Sequence, residues 1–194
     1  PLGTGNALAR DLEIASEVGR ACEVIGIGKR ARIDLGTVED DYFVNIVSVG
    51  ITTRIAESLD PVSKRRYGRL AYLAAIMKAL TKMRPFEARL ELNDGLHVLR
   101  TMLVVIGNGR FHAGPFPLAP EATIMDGVLS VYALATDRKA AFFRLAWHLR
   151  TGRHVDLDEV AAFTTTSGTL STDMPRRVNV DGEVCLRTPI EFGV

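Results

Sequence analysis

The sequence predicts a mainly β protein of the α+β class, an antiparallel β-sandwich with two or three inserted helices. Many short apolar runs have strand length and are bounded by turn residues. Few stretches carry helical spacing, and none alternates regularly with strands as a doubly wound parallel sheet requires. Asp181-Gly182 sits between alternating hydrophobics, which marks a tight hairpin.

Taken in order, the glycine-rich opening Pro1-Leu2-Gly3-Thr4-Gly5-Asn6 leads into a helix over 7–12, where Leu8 and Leu12 lie one turn apart and Asn6 is the cap. A loop emptying into a helix N-terminus is an anion seat, offering backbone N–H groups and here the Thr4 hydroxyl. Residues 24–49 read as strands, first through Val24, Ile27, Ile33 and Leu35, then through an alternating run at 42–49 that is apolar on both faces. Leu70, Leu73, Ile76, Met77 and Leu80 repeat at helical spacing between Gly68 and Pro85. Strands are expected again at 89–92, 98–106 and 124–134, and a second long helix at 137–149 with Asp137 as its cap and Gly152 past its end. Strands at 157–166, 168–172, 177–180 and 184–186 close the chain.

Composition bounds the function. The 194 residues are enough for one core, and 47% hydrophobic with 24% charged residues excludes a disordered chain. A formal net charge of +1 gives nucleic-acid binding no support, since a basic footprint needs clustering. Cys22 and Cys185 have no ligand spacing, so neither a disulfide framework nor a zinc site is expected; His97, His112, His148 and His154 contain no i,i+4 pair. No apolar run approaches the ~20 residues that span a bilayer, and no leader is apparent, so a cytoplasmic location is expected. The start at Pro1 and the stop within a strand-like pattern read as cut ends of a larger protein.

Read singly, Asp126-Gly127 and Asp181-Gly182-Glu183 are turn formers that could also supply a magnesium ligand or a proton acceptor. Their order adds to this. The string Pro1 to Arg10 resembles a signature of the diacylglycerol kinase catalytic family, which includes sphingosine and ceramide kinases; so do Asn108-Gly109-Arg110 followed by Leu118-Ala119-Pro120-Glu121-Ala122 and Asp126-Gly127-Val128-Leu129, and the terminal Asp181-Gly182-Glu183. These three motifs cover nearly the whole chain.

The resemblance implies a two-lobe, ATP-dependent lipid kinase. Residues 1–15 would be the end of the nucleotide lobe, and 16–194 the β-sandwich C-terminal lobe. The N-terminal lobe and its Gly-Gly-Asp-Gly-Thr motif would be absent here. Carried over by position, Thr4 would contact nucleotide, with Gly3 and Asn6 shaping its loop. Asp126 would hold a structural Mg2+ with the carbonyls of Thr123 and Val128. Asp181 and Glu183 would stand nearest the transferred phosphate, Glu183 accepting the proton, and as alternate residues of an extended segment they would share a face. Ala7 stands where many bacterial relatives carry an acidic or amide residue, and Met125 where an aspartate often precedes Asp126.

The implied partners are a lipid at the membrane surface and the missing lobe, with no nucleic acid and with homodimerisation left open. Lys64, Arg65, Arg66 and Arg69 precede the first long helix and Lys78, Lys82 and Arg84 leave it; Arg138, Lys139, Arg144, Arg150 and Arg153 decorate the second. Such charge suits an enzyme peripheral to the membrane. The spacing of Phe143, Ala146 and Trp147 instead favours an ordinary core stripe. Rival functions are a non-catalytic lipid-binding or dimerising lobe and an NAD kinase-like enzyme. The apolar inventory does not separate diacylglycerol from a sphingoid base or ceramide as acceptor.

Overall fold

A computed structural model describes residues 1–2, 5–28, 30–58, 78–79, 81–111, 119, 121–149 and 157–194. Among them, twelve strands pair into two six-stranded antiparallel sheets. One sheet holds, side by side, β2 (Asp41–Phe43), β1 (Gly36–Val38), β12 (Ile190–Gly193), β9 (Ser167–Thr172), β4 (Phe86–Leu92) and β5 (Gly95–Thr101). The other holds β11 (Glu183–Arg187), β10 (Arg177–Val180), β3 (Ile46–Gly50), β6 (Leu103–Gly107), β7 (Leu129–Leu134) and β8 (Val160–Thr165). The helices are α1 (Ala7–Asp11), α2 (Val18–Ile27), α3 (Ile51–Ser58) and α4 (Lys139–Leu149).

Alternation makes this a sandwich. On β4 every second residue, Phe86, Ala88, Leu90 and Leu92, is buried, and Glu87, Arg89 and Glu91 between them are exposed. All of β6 and nearly all of β7 is buried, which marks the middle of the second sheet. Residues of both sheets, with Ile51 and Ile55 of α3 and Ala141 and Leu145 of α4, form one continuous core. At Gly50 φ is +108°, and a Cβ there would stand 2.3 Å from the Met102 carbonyl oxygen; only glycine lets β3 turn into α3 beside that backbone.

The sandwich matches the sequence expectation, but several boundaries differ. Val24 and Ile27 lie on α2 rather than a strand: Val18, Ala21, Cys22 and Ile25 have i, i+3, i+4, i+7 spacing, and Gly28 at φ 67° ends the helix. The run 42–49 is two strands, β2 and β3, in different sheets, and 98–106 likewise divides at Met102 into β5 and β6. Both are places where a strand leaves one sheet for the other, so the apolar pattern continues while the pairing changes. Residues 124–128 form a turn before β7. α3 was missed because Ile51, Thr52, Thr53 and Ile55 are β-branched. α4 starts at Lys139, two residues past Asp137; Gly152 lies outside the described residues. So does most of the helix read from Leu70 to Leu80, although residues 78–79 and 81–82 are helical. On α4 the core stripe is Ala141 and Leu145, while Phe143 and Trp147 are exposed, correcting the expected core role of those two aromatics.

Candidate functional site

The Asp181-Gly182 hairpin forms as its sequence predicts. Both residues have positive φ, 47° and 105°, and Val180 faces Glu183 across the turn. Asp181 is therefore a turn residue rather than an alternate residue of the strand carrying Glu183, so the shared-face argument for the two carboxylates does not hold. What Asp181 does is specific. Its Oδ2 accepts the Val44 N–H at 2.6 Å, and its Oδ1 accepts those of Asn45 and Ile46 at 2.9 and 2.8 Å. Three charge-assisted bonds pin the hairpin to the break between β2 and β3. Glu183, the first residue of β11, is exposed. Burial pushes the neighbouring Cys185 thiol up, and the charges of Asp41 and Glu183 add to it.

From that break a hydrogen-bonded seam continues. Asn108, fully buried at the end of β6, donates its N–H to the Asn45 carbonyl and its Nδ2 to the carbonyls of Asp34 and Val44. Asp34 in turn accepts the Gly127 N–H at 2.7 Å, and its own N–H bonds the Ile124 carbonyl. That holds the Asp126 turn. Within it, Asp126 accepts the N–H groups of Thr123 at 2.8 Å and Val128 at 3.2 Å, one on each oxygen. Each oxygen keeps a lone pair, so the chemistry suits a hard cation completed by carbonyls and water. Among the described residues no three His, Cys, Asp or Glu side chains gather into a metal-sized cluster.

The opening loop joins the same end of the sandwich. Asp11, at the end of α1, accepts the N–H groups of Arg110 and Phe111, while Arg10 stands 6.0 Å from the centre of the Phe111 ring. Burial pushes the Asp11 carboxyl above its usual range, against the lowering effect of those amides and of the Arg110 guanidinium. Gly109, with φ 80°, leaves space for this carboxylate. Between α1 and the β2–β3 break lies an open hollow of about 460 Å³ lined by Pro1, Asn6, Ala7, Leu8 and Asn45 among others. Gly3 and Thr4 lie outside the described residues. Asn6 occupies the cap position of α1 at φ 51°, without the side-chain capping bond expected of it.

Thus Asn6 and Asn45 line one hollow, Asp181 holds Asn45 directly, and the Asp126 turn connects to Asn45 through Asp34 and Asn108. The sequence reading placed Asn108 in a motif without giving it a task, and singled out none of Asn45, Asp34 and Asp11. For Asn45, an asparagine inside an apolar strand run was the available signal, because such a residue must find partners or a ligand. Three atoms here are buried without a hydrogen-bond partner: Asn45 Oδ1, Asn108 Oδ1 and Arg110 Nε. Among the described residues no helix is long and apolar enough to cross a membrane.

Comparison with known proteins agrees with this architecture. A diacylglycerol kinase of Bacillus subtilis (strain 168) is 28% identical over 193 residues, covering 99% of this chain and 64% of its own length. A probable lipid kinase YegS-like protein of Chromohalobacter salexigens is 35% identical over 131 residues, covering 68% of this chain and 42% of its own. The solved structure of a diacylglycerol kinase from Bacillus anthracis str. Sterne superposes over all of this chain and 61% of its own, with a TM-score of 0.70 at 18% identity, which supports the fold. The chain thus spans a little under two thirds of the length of the first curated relatives it matches. Residues 45–194 match the family model described as the YegS C-terminal NAD kinase beta sandwich-like domain, and the chain belongs to that family, among whose relatives are diacylglycerol kinases and YegS-like lipid kinases.

Proposed function

We propose that this chain is the C-terminal lobe of an ATP-dependent lipid kinase that transfers the γ-phosphate to a lipid hydroxyl. The observation that carries the reading is the seam from Asp181 through Asn45 and Asn108 to Asp34, which ties the three sequence motifs to one end of the sandwich beside the α1 hollow. Residues 1–15 would contribute to the nucleotide lobe, and the rest of that lobe would come from residues preceding Pro1, as the greater length of the relatives suggests.

In this reading Glu183 accepts the proton of the lipid hydroxyl, because it is an exposed carboxylate at the tip of a hairpin whose position is fixed. Asp181 acts chiefly as its positioning residue. Three amides occupy three of its four lone-pair sites, and the fourth, on Oδ2, remains for a magnesium-bound water. Thr4, with Gly3 and Asn6 shaping its loop, would contact nucleotide. Asp126 would hold Mg2+ with the carbonyls of Thr123 and Val128. Magnesium would neutralise charge on the phosphates, so the chain's own work is orientation and proton acceptance.

The test is a kinase assay of the protein with its upstream residues against a lipid panel containing diacylglycerol, sphingoid base and ceramide. Magnesium-dependent phosphorylation of one of them is expected, and none from the 194-residue piece, since one wall of a cleft does not align ATP with its acceptor. Detectable phosphorylation of any lipid by the piece alone would refute its expected inactivity, and turnover of none of them by the longer protein would overturn the assignment.

A further inference from the structure

The outward face of α4 is an apolar stripe edged by cations. Ala141 and Leu145 enter the core, and Ala140, Phe143 and Trp147, at i, i+3 and i+7, run along the exposed side. Phe143 is 47% exposed and Trp147 70%. At 100° per residue, Lys139 and Arg144 flank that stripe on its two sides. Lys139 Nζ also donates to the Thr81 carbonyl at 3.1 Å, which sets exposed Lys78, Lys82 and Arg84 at the same corner. Against these cations stand Asp137, Asp158 and Glu159, and Glu159 is paired with Arg144.

Two adjacent aromatics turned to solvent on a helix with a cationic border are a poor match for water and a good one for a headgroup layer, where an aromatic body sits in acyl carbon and its polar edge stays wet. The stripe is too small for a stable contact with a second copy. Its two aromatics offer roughly 300 Å², against the ~800 Å² per partner of a standard interface. The cations point to an anionic surface.

We propose that the exposed face of α4 docks this protein on an anionic lipid bilayer, with Phe143 and Trp147 entering the headgroup region and Lys82, Arg84 and Lys139 meeting the phosphates. The inference rests on the lipid-kinase reading only for its purpose, since an enzyme acting on a lipid must reach the surface. Its test needs neither ATP nor acceptor lipid.

Trp147 is the single tryptophan of the chain, so its emission reports this face without a label. With phosphatidylcholine vesicles containing phosphatidylserine, emission should shift to the blue and the chain should sediment with the vesicles; pure phosphatidylcholine should give a weaker response that salt changes little. Phe143→Ala with Trp147→Ala should reduce co-sedimentation roughly tenfold or more, from the loss of two buried aromatic bodies. Lys82→Glu with Lys139→Glu should abolish the preference for phosphatidylserine while leaving the circular dichroism unchanged. An unshifted emission, equal sedimentation of parent and aromatic variant, or a dimer in sedimentation velocity that the aromatic variant breaks would each overturn the proposal. None of these results bears on whether the longer protein phosphorylates a lipid.

Discussion

Asp181 holds Asn45 from 136 positions away: one carboxylate oxygen takes the Asn45 N–H at 2.9 Å and the next amide at 2.8 Å. This turns a hairpin tip into a structural clamp. Asp181→Ala strands three amides and puts a β-carbon residue without a local side-chain acceptor at positive φ, so unfolding in urea should show a loss of about 2–4 kcal/mol. Glu183→Gln, at an exposed position two residues on, should leave the urea midpoint of the chain unchanged and lower the kcat of the longer enzyme by at least about a hundredfold. Equal losses of stability in the two variants would remove the distinction between a positioning and a proton-accepting carboxylate.

Asn108 is the second joint of the seam, and its amide donates to the carbonyls of Asp34 and Val44. Asn108→Ala should cost about 3 kcal/mol by leaving the Asp34 and Val44 carbonyls short of a donor in a buried place. Asn108→Asp should cost at least as much at neutral pH, because a carboxylate would face those oxygens with no proton to give. Acidification should recover part of that loss, as a protonated carboxyl donates one bond; unfolding curves for both variants from acid to neutral pH decide this.

The sandwich and its hairpin were legible because each rests on local information. β4 alternates strictly, and Asp-Gly supplies the two positive φ values that a two-residue turn needs. The changes of sheet at Val44-Asn45 and Met102 were not legible, because the apolar sequence pattern continues through them while the partner strand changes. For the site, spacing found the acidic residues but not their task. That Asp181 spends its oxygens on distant amides, or that Asp34 and Asn108 join two motifs, depends on contacts across more than sixty residues of chain. Phe143 and Trp147 misled for a related reason: spacing shows that two residues share a face, not which face the sheet covers.

Asp11 makes the tether of α1 sensitive to pH. Burial raises its carboxyl above the ordinary 3.8, so the folded state binds the proton more tightly than the unfolded chain does. Its contribution to stability is therefore fully present below that ordinary value and is lost as pH rises through the raised one. Relative to Asp11→Asn, the parent should lose stability as pH increases across the window just above 3.8. Parallel stability curves for the two proteins would show that the carboxyl is not desolvated.

α2 carries Ile25 and Ile27 at 80% and 76% exposure and has no buried residue. An isolated helix of ten residues has little stability of its own, so in the lipid-kinase reading proposed above its apolar side packs on the rest of the nucleotide lobe. That would extend the nucleotide-lobe share of this chain from residue 15 to about residue 28. Ile25→Glu should change the stability of the 194-residue chain by less than about 0.5 kcal/mol. In the longer protein it should cost about 2 kcal/mol or more. The same small effect in both would leave the boundary at 15.

The Asp126 turn gives the most direct test for a cation. Its carboxylate is already organised by Thr123 and Val128 amides, so an ion would find oxygen ligands fixed in place, though with one charged side chain among them. One charge and the reluctant dehydration of magnesium predict weak binding. Linkage then gives a stabilisation of RT ln(1 + [Mg2+]/Kd), about 1.4 kcal/mol when the ion stands at roughly ten times Kd. Millimolar magnesium should accordingly raise the melting temperature of the parent chain and leave Asp126→Ala unmoved. Sodium at matched ionic strength should move neither, and an equal rise in parent and variant would place the ion elsewhere.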